Sequence, residues 1–68
     1  MENKFKDRLR EIREDKGLTQ KELAIALKTH QSNIAEWESG KKKPSMFSII
    51  ALAKFFEVTV GQLLGTEE

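Results

Sequence analysis

The sequence predicts an all-α domain of five short helices, and three observations lead to that fold class. Apolar residues recur at intervals of three and four along most of the 68-residue chain, which is the spacing of one helical face. Residue pairs able to cap helix starts, and glycines suited to helix ends, divide this pattern into short segments. No segment alternates between apolar and polar residues for long enough to predict a strand.

Local signals predict the bounds of the first two helices. Helix 1 carries three apolar residues at helical spacing, Phe5, Leu9 and Ile12. It is predicted over about residues 4–16, and Gly17 is suited to the left-handed conformation that often ends a helix. Helix 2 begins at Gln20, because the pattern T-x-x-E at residues 19–22 lets a hydroxyl and a carboxylate bond each other's free backbone amides. The polar segment from Lys28 onward ends it after about two turns.

Helix 3 is predicted from about Gln31 to Ser39, with Ile34 and Trp37 facing inward. Only a few residues separate helices 2 and 3. Two short helices joined so closely are typical of a helix-turn-helix, which here covers about residues 19–38.

Helix 4 follows a basic loop and opens at Ser45. Five of its apolar residues are expected to face inward: Met46, Ile49, Leu52, Ala53 and Phe56. Four more lie on its neighbouring sides: Phe47, Ile50, Ala51 and Phe55. Helix 5 begins after a second cap pattern, T-x-x-Q at residues 59–62, and ends at Gly65.

Composition argues against several classes of function. The chain has no cysteine and one histidine, so we expect neither disulfides nor a metal site, and no cofactor. Without cysteine, tyrosine or a glycine-rich phosphate loop, no catalytic set can be assembled, and we expect no enzymatic activity and no small-molecule ligand. No apolar run approaches the roughly 20 residues of a membrane span. The expectation is a single cytoplasmic domain over residues 1–68, without a membrane partner.

Charge is divided unevenly along the chain. The formal net charge is only +1, from 12 basic and 11 acidic residues. Residues 1–43 contain 11 basic and 8 acidic residues, a balance of +3, whereas residues 44–68 contain Lys54 against three glutamates, a balance of −2. Such a modest asymmetry is also common on ordinary solvated surfaces. Charge alone therefore does not decide whether the partner is a nucleic acid.

The stretch GLTQKELAIALKTHQSNIAEWESGKKKP resembles the Cro/CI-type (XRE) helix-turn-helix family of phage repressors and bacterial regulators. The resemblance extends from LREIREDKGLTQ to PSMFSIIALAKFFEVTVGQLLG and so covers nearly the whole chain. It implies a compact five-helix fold like that of the lambda repressor. It also implies a transcription regulator, expected to be a repressor, that binds a two-fold operator in double-stranded DNA as a homodimer, with helix 3 in the major groove.

The resemblance places the base-reading positions on the outer face of helix 3. Four residues there are expected to contact bases: Gln31, Ser32, Asn33 and Glu36. The Gln31 amide offers a donor and an acceptor together and can pair twice with adenine. Glu36 allows two interpretations: it either accepts from cytosine N4, and so disfavours sites without that donor, or is an ordinary solvated acid on the outer edge of helix 3. Asn33, at the flank, could contact a base edge or a phosphate.

Eight residues are expected to contact DNA phosphates: Arg10, Thr19, Gln20, Lys21, His30, Lys41, Lys42 and Lys43. The free amides and the positive dipole end at the start of helix 2 favour an anion, and Gln20 matches the family's residue there. The loop lysines flank helix 3, although a charge run is more often a solvated loop. His30 either contacts a phosphate when protonated or is a passive turn residue.

Arg13 and Glu38 match a pair that in this family bridges helix 1 to the end of helix 3, so the resemblance implies a structural ion pair. Two positions depart from the family's pattern. Lys28 stands where the turn often has glycine, so either it takes a positive φ at a cost of roughly 1 kcal/mol or the turn has no positive φ. His30 stands where a serine or threonine usually caps helix 3, so either its ring caps less well or Thr29 takes that role.

The apolar surplus of helix 4 predicts an interface. A two-fold dimer through helices 4 and 5 would place Phe47 or Phe55 near the axis, with recognition helices about 34 Å apart. The alternative is that these rings fold back over the small core. A second function also stays open, a protein-interaction module or antitoxin-like partner protein. The basic loop and the polar face of helix 3 favour DNA, whereas the low net charge and the apolar helix 4 keep this second function possible.

Overall fold

Five helices follow one another in the computed structural model, which describes residues 4–66: α1 (Phe5–Asp15), α2 (Gln20–Leu27), α3 (Gln31–Ser39), α4 (Met46–Phe56) and α5 (Val60–Leu64). No strand occurs within that range, and the all-α prediction is confirmed. The first three residues, and Glu67 and Glu68 of the acidic balance, lie outside the described part.

Side-chain cap hydrogen bonds confirm the predicted starts of α2, α4 and α5. At α2, the Thr19 hydroxyl accepts from the Glu22 amide at 3.0 Å, and the Glu22 carboxylate accepts from the Thr19 amide at 2.8 Å. At α5, Thr59 and Gln62 repeat both bonds at 2.9 Å. Ser45 caps α4 by accepting from the Ser48 amide. Each cap stabilises the fold by about 1 kcal/mol, so local sequence decides where these helices begin.

Two helices end in the left-handed conformation on residues other than glycine. Lys28, after α2, has φ 57°, one of the two conformations that the sequence left open for it, and Glu57, after α4, has φ 56°. The left-handed conformation brings a Cβ close to the following carbonyl and costs about 1–2 kcal/mol. The turn after Lys28 is held by the Thr29 amide, which donates to the Ala24 carbonyl at 2.9 Å.

The core draws on all five helices, and α3 is packed against both α1 and α2. Its buried apolar residues are Phe5, Leu9, Ile12, Leu23, Ala24, Ile34, Trp37, Leu52, Ala53, Phe56 and Leu63. Ile34 and Trp37 thus face inward as predicted, which turns the opposite side of α3 to solvent. The Lys4 amide donates to the Leu64 carbonyl at 2.9 Å, which ties the start of α1 to the end of α5.

The first turn of α4 is where the prediction of the inward face is wrong. Met46 was expected in the core, but 65% of it is exposed. The reason is position along the helix: the buried residues of α4, Leu52, Ala53 and Phe56, all lie in its second half. Phe47 is 86% exposed and does not fold over the core.

Phe55 is also partly exposed, but it packs edge-on against Phe56, with ring centroids 5.1 Å apart. None of the helices in residues 4–66 combines the length and the apolar character that crossing a membrane requires.

Candidate nucleic-acid interface

The first turn of α3 presents Gln31 and Ser32 to solvent. No described residue hydrogen-bonds to either side chain, so the donor and acceptor of the Gln31 amide are both available. This is the most accessible polar surface on the predicted reading face. Its position is fixed from beneath, since Ile34 and Trp37 of the same helix are buried.

Asn33 is committed to the turn between α2 and α3. Its amide nitrogen donates to the Thr29 hydroxyl at 2.7 Å, and the residue is half-buried. Neither open possibility for a side-chain cap at α3 is realised: His30 makes no cap hydrogen bond, and the Thr29 hydroxyl accepts from Asn33 instead. His30 is exposed at the N-cap position.

Glu36 is paired with the basic loop that follows α3. Its carboxylate lies 3.6 Å from the Lys42 ammonium, and its backbone carbonyl accepts from the amides of Lys41 at 2.9 Å and Lys42 at 3.3 Å. The acid is therefore neither free in solvent nor free to accept from a base without separating from Lys42. All three loop lysines remain exposed.

The start of α2 lies beside α3 and is joined to it. Thr19 and Lys21 are exposed, whereas Gln20 is half-buried and donates from its side-chain amide to Glu38 at 3.2 Å. The first amides of a helix lack helical acceptors and can bind an anion. The hydrogen bond to Glu38 orients Gln20 at that site.

Glu38 is the centre of a buried polar cluster. Its two carboxylate oxygens accept from Arg13 Nε at 2.7 Å and Nη2 at 2.9 Å, a two-point pairing that fixes both side chains. Arg13 also donates to the Leu18 carbonyl at 2.7 Å, and Arg10 approaches the same carboxylate at 3.6 Å. Only 1% of the Glu38 side chain and 11% of the Arg13 side chain are exposed. This cluster joins α1, α2 and α3.

The electrostatics of the cluster keep both partners charged. Burial acts to raise the pKa of Glu38, but hydrogen bonds from Arg13 and Gln20 and the nearby arginine charges outweigh it, so the pKa lies below its ordinary value. The hydrogen bond to Glu38 raises the pKa of Arg13 above its ordinary value, against the opposing effect of burial. Within residues 4–66, no group of acidic or histidine side chains is placed to hold a metal ion.

Lys6 also lies at this surface, although it is not among the predicted site residues. Its side chain runs beside Gly40, where a Cβ would lie 3.2 Å from Lys6 Cδ and 3.7 Å from Nζ. The signal was present in the spacing: Lys6, Arg10 and Arg13 share one face of α1 at intervals of four and three. That face meets the end of α3.

Comparison with known proteins gives concordant matches. A family model described as helix-turn-helix matches residues 9–63. The HTH-type transcriptional activator BcrR of Enterococcus faecalis is 44% identical over 64 residues, which cover 94% of this chain and 31% of that protein. The HTH-type transcriptional regulator AnsR of Bacillus subtilis is 37% identical, over 91% of this chain and 53% of that protein.

A crystal structure of a transcriptional regulator from Listeria innocua superposes on the whole chain with a TM-score of 0.91 and 25% identity, and the chain covers 64% of it. The chain thus spans about a third to two thirds of the length of these three proteins.

Proposed function

The chain belongs to the Cro/CI-type (XRE) helix-turn-helix family, and on that premise we propose that it is the sequence-specific DNA-binding domain of a transcription regulator, with α3 in the major groove. One observation carries the proposal: Gln31 and Ser32 are exposed and unpartnered among residues 4–66, on a helix held to α1 and α2 by the buried Glu38 cluster. A rigid helix with free donors and acceptors suits base reading. Because the proposed function is action on DNA, we propose that the chain is cytoplasmic. We also keep the expectation, drawn from composition, that it has no enzymatic activity.

The four residues proposed to contact bases differ in the internal interactions that they must break to reach DNA. Gln31 and Ser32 can meet base edges without losing an internal hydrogen bond, so we assign them the main role. Asn33 must release Thr29, and Glu36 must separate from Lys42. Glu36 then contributes mainly by disfavouring sites that offer no cytosine N4 donor, because an unpaired carboxylate is repelled by the phosphates.

The proposed phosphate contacts lie on both sides of α3 in the chain. Before it, the start of α2 offers backbone amides with Thr19, Gln20 and Lys21, and His30 is exposed at the N-cap of α3. After it, the loop offers Lys41, Lys42 and Lys43. Arg10 is available on α1, where its side chain stays 55% exposed despite its approach to Glu38. Such contacts position the reading helix and carry no sequence information themselves.

We also propose a two-fold homodimer on DNA, formed through α4. Three exposed apolar residues are neighbours on one face of α4, and we call them the α4 patch: Met46, Phe47 and Ile50. Exposed apolar patches on small proteins commonly mark interfaces. Phe55, edge-on against Phe56, lies further along the same helix. Sedimentation of the free protein over a concentration series tests whether this dimer also forms without DNA. We expect dimer formation that Phe47→Ser abolishes, and monomer alone at high concentration would exclude a free dimer.

The proposed sign of regulation is repression, because a dimer seated across a promoter competes with polymerase for the same DNA. BcrR is named an activator, so the test must be able to return either sign. Run-off transcription from a template carrying the selected site over the promoter should fall with added protein. A rise in transcript would assign activation instead.

The decisive experiment is selection from a pool of random duplexes, followed by sequencing, with wild type, Gln31→Ala and Lys42→Ala at two salt concentrations. We expect a two-fold motif for wild type, relaxed selection at one position per half-site for Gln31→Ala, and uniformly weaker binding for Lys42→Ala. Lys4→Ala, which removes a charge from an exposed residue beside the end of α5, is the matched control for Lys42→Ala and should leave the motif and affinity unchanged.

The second candidate is a protein-interaction module of the antitoxin-like kind, and the 86% exposure of Phe47 is the observation that favours it. If no sequence is enriched and binding is weak and salt-limited, α3 does not read bases. The α4 patch then becomes the surface on which to seek a protein partner.

A further inference from the structure

Two basic segments far apart in sequence meet at the end of α3. Lys6 of α1 lies beside Gly40, the residue that ends α3, and the three loop lysines follow Gly40 directly. All four lysines are exposed. We call this surface the α1–loop strip: Lys6, Lys41, Lys42 and Lys43.

We propose that the α1–loop strip is a continuous DNA-backbone contact in which Lys6 binds a phosphate alongside the loop lysines. This inference rests on the proposed DNA-binding function and adds Lys6 to Arg10, the residue of α1 already proposed to contact a phosphate. The stretch of DNA backbone in contact with the protein is then longer, because the contact continues past the loop onto α1.

Lys6 is the uncommitted cation on its helix face. Arg13 is bound to Glu38 through two hydrogen bonds, and Arg10 lies 3.6 Å from the same carboxylate. Lys6 has no acidic partner among residues 4–66, whereas Lys42 on the strip is paired with Glu36. A phosphate near Lys6 therefore meets a full positive charge with no ion pair to break.

A structural role for Lys6 makes a different prediction. Its ammonium lies near the end of α3, where the helix dipole is negative, so it could act only as a favourable charge for that helix. In that case its loss would lower thermal stability and leave the salt dependence of DNA binding unchanged. A phosphate contact releases a counterion and must change the salt dependence.

The test is fluorescence anisotropy of the selected duplex at a series of salt concentrations. Lys6→Gln keeps part of the aliphatic stem against Gly40 and removes the charge. We expect it to weaken binding and to reduce the slope of log K against log salt by about 1.8, because each of the two subunits of the proposed dimer loses one phosphate contact, worth about 0.9. Lys6→Arg should restore the slope, and Lys4→Gln, an equal change of net charge at an exposed residue beside the end of α5, should leave it unchanged.

Two results would overturn the inference: an unchanged slope for Lys6→Gln, with or without a lower melting temperature, or an equal reduction for Lys4→Gln. The two proposals also fail separately. If wild type selects a motif and Gln31→Ala relaxes it while Lys6→Gln binds like wild type, only the α1–loop strip is wrong. If wild type selects no sequence, the DNA-binding function fails and the inference with it.

Discussion

The α1–α3 half and the α4–α5 half of this chain are stabilised in different ways. In the first half, directional contacts join separate elements: Glu38 accepts from Arg13 and Gln20, and Asn33 donates to Thr29. In the second half, the side-chain hydrogen bonds at the starts of α4 and α5 and at Thr66 are local. A directional contact does reach α5 from outside this half, since Arg8 Nε donates to the Gln62 carbonyl at 3.1 Å.

This difference matches what each half has to do. Hydrophobic burial is not directional and leaves the rotation of a helix poorly specified, whereas a two-point ion pair fixes orientation. The half that presents base-reading side chains is the one with such a pair. The other half leaves apolar side chains of α4 in solvent, where they suit association better than readout.

The largest expected effect is loss of the Glu38 cluster. Glu38→Gln leaves the buried Arg13 without a carboxylate and should lower the free energy of unfolding by about 3–5 kcal/mol. Proteins have a free energy of unfolding of about 0.05–0.15 kcal/mol per residue, so this loss is a large part of the stability expected of this chain. Urea unfolding measures it, with the exposed Asp15→Asn as a control that should stay within about 0.5 kcal/mol. A loss below 1 kcal/mol for Glu38→Gln would contradict the central role of the cluster.

Acid should act on the same cluster. Because the pKa of folded Glu38 is lowered, its contribution is present above the unfolded value of about 4.3 and is lost as pH falls through the lower folded value. Melting temperature should therefore fall more steeply below about pH 4.3 in wild type than in Glu38→Gln. Parallel curves for the two proteins would show that other carboxyl groups account for the acid sensitivity.

A smaller effect is shared by both halves. Lys28→Gly and Glu57→Gly each remove a Cβ from a left-handed position and should raise stability by up to about 1 kcal/mol, or roughly 4–8 °C in melting temperature. The gain is partly offset by the freedom glycine adds to the unfolded chain. Lys28→Ala is the control, since it keeps the Cβ. Equal melting temperatures for Lys28→Gly and Lys28→Ala would mean that the turn carries no strain.

The smallest expected effect on the monomer is at the α4 patch. Phe47 is almost fully exposed, so Phe47→Ser at low protein concentration should change unfolding free energy by less than about 0.5 kcal/mol. Leu52→Ala, on the buried side of the same helix, should cost about 2–5 kcal/mol. Thermal unfolding at two protein concentrations separates fold from association. A large loss for Phe47→Ser at the lower concentration would mean that its ring supports the monomer.

Some residues of the candidate site could be predicted from helical geometry, some only from the family resemblance, and some not at all. Exposure of Gln31 and Ser32 follows from helical geometry once Ile34 and Trp37 face inward. The Arg13–Glu38 pair followed only from the family resemblance, because its partners are 25 positions apart and no local spacing connects them. Three features were not predicted: the left-handed conformation of Glu57, the position of Lys6 beside Gly40, and the Glu36–Lys42 pair. A left-handed cap without glycine has no distinct residue signature, and the other two features depend on packing or loop conformation.

The sequence by itself determined where the five helices lie and how most of them begin, because caps act between residues three apart and their free energies are local. Only the tertiary structure decided which polar side chains on and around α3 are free, since Gln20 and Asn33 found partners outside their own helices. It also decided that Met46 is exposed. Periodicity gives the direction of a side chain around its helix, but whether the core extends to that turn depends on where the neighbouring helices pack.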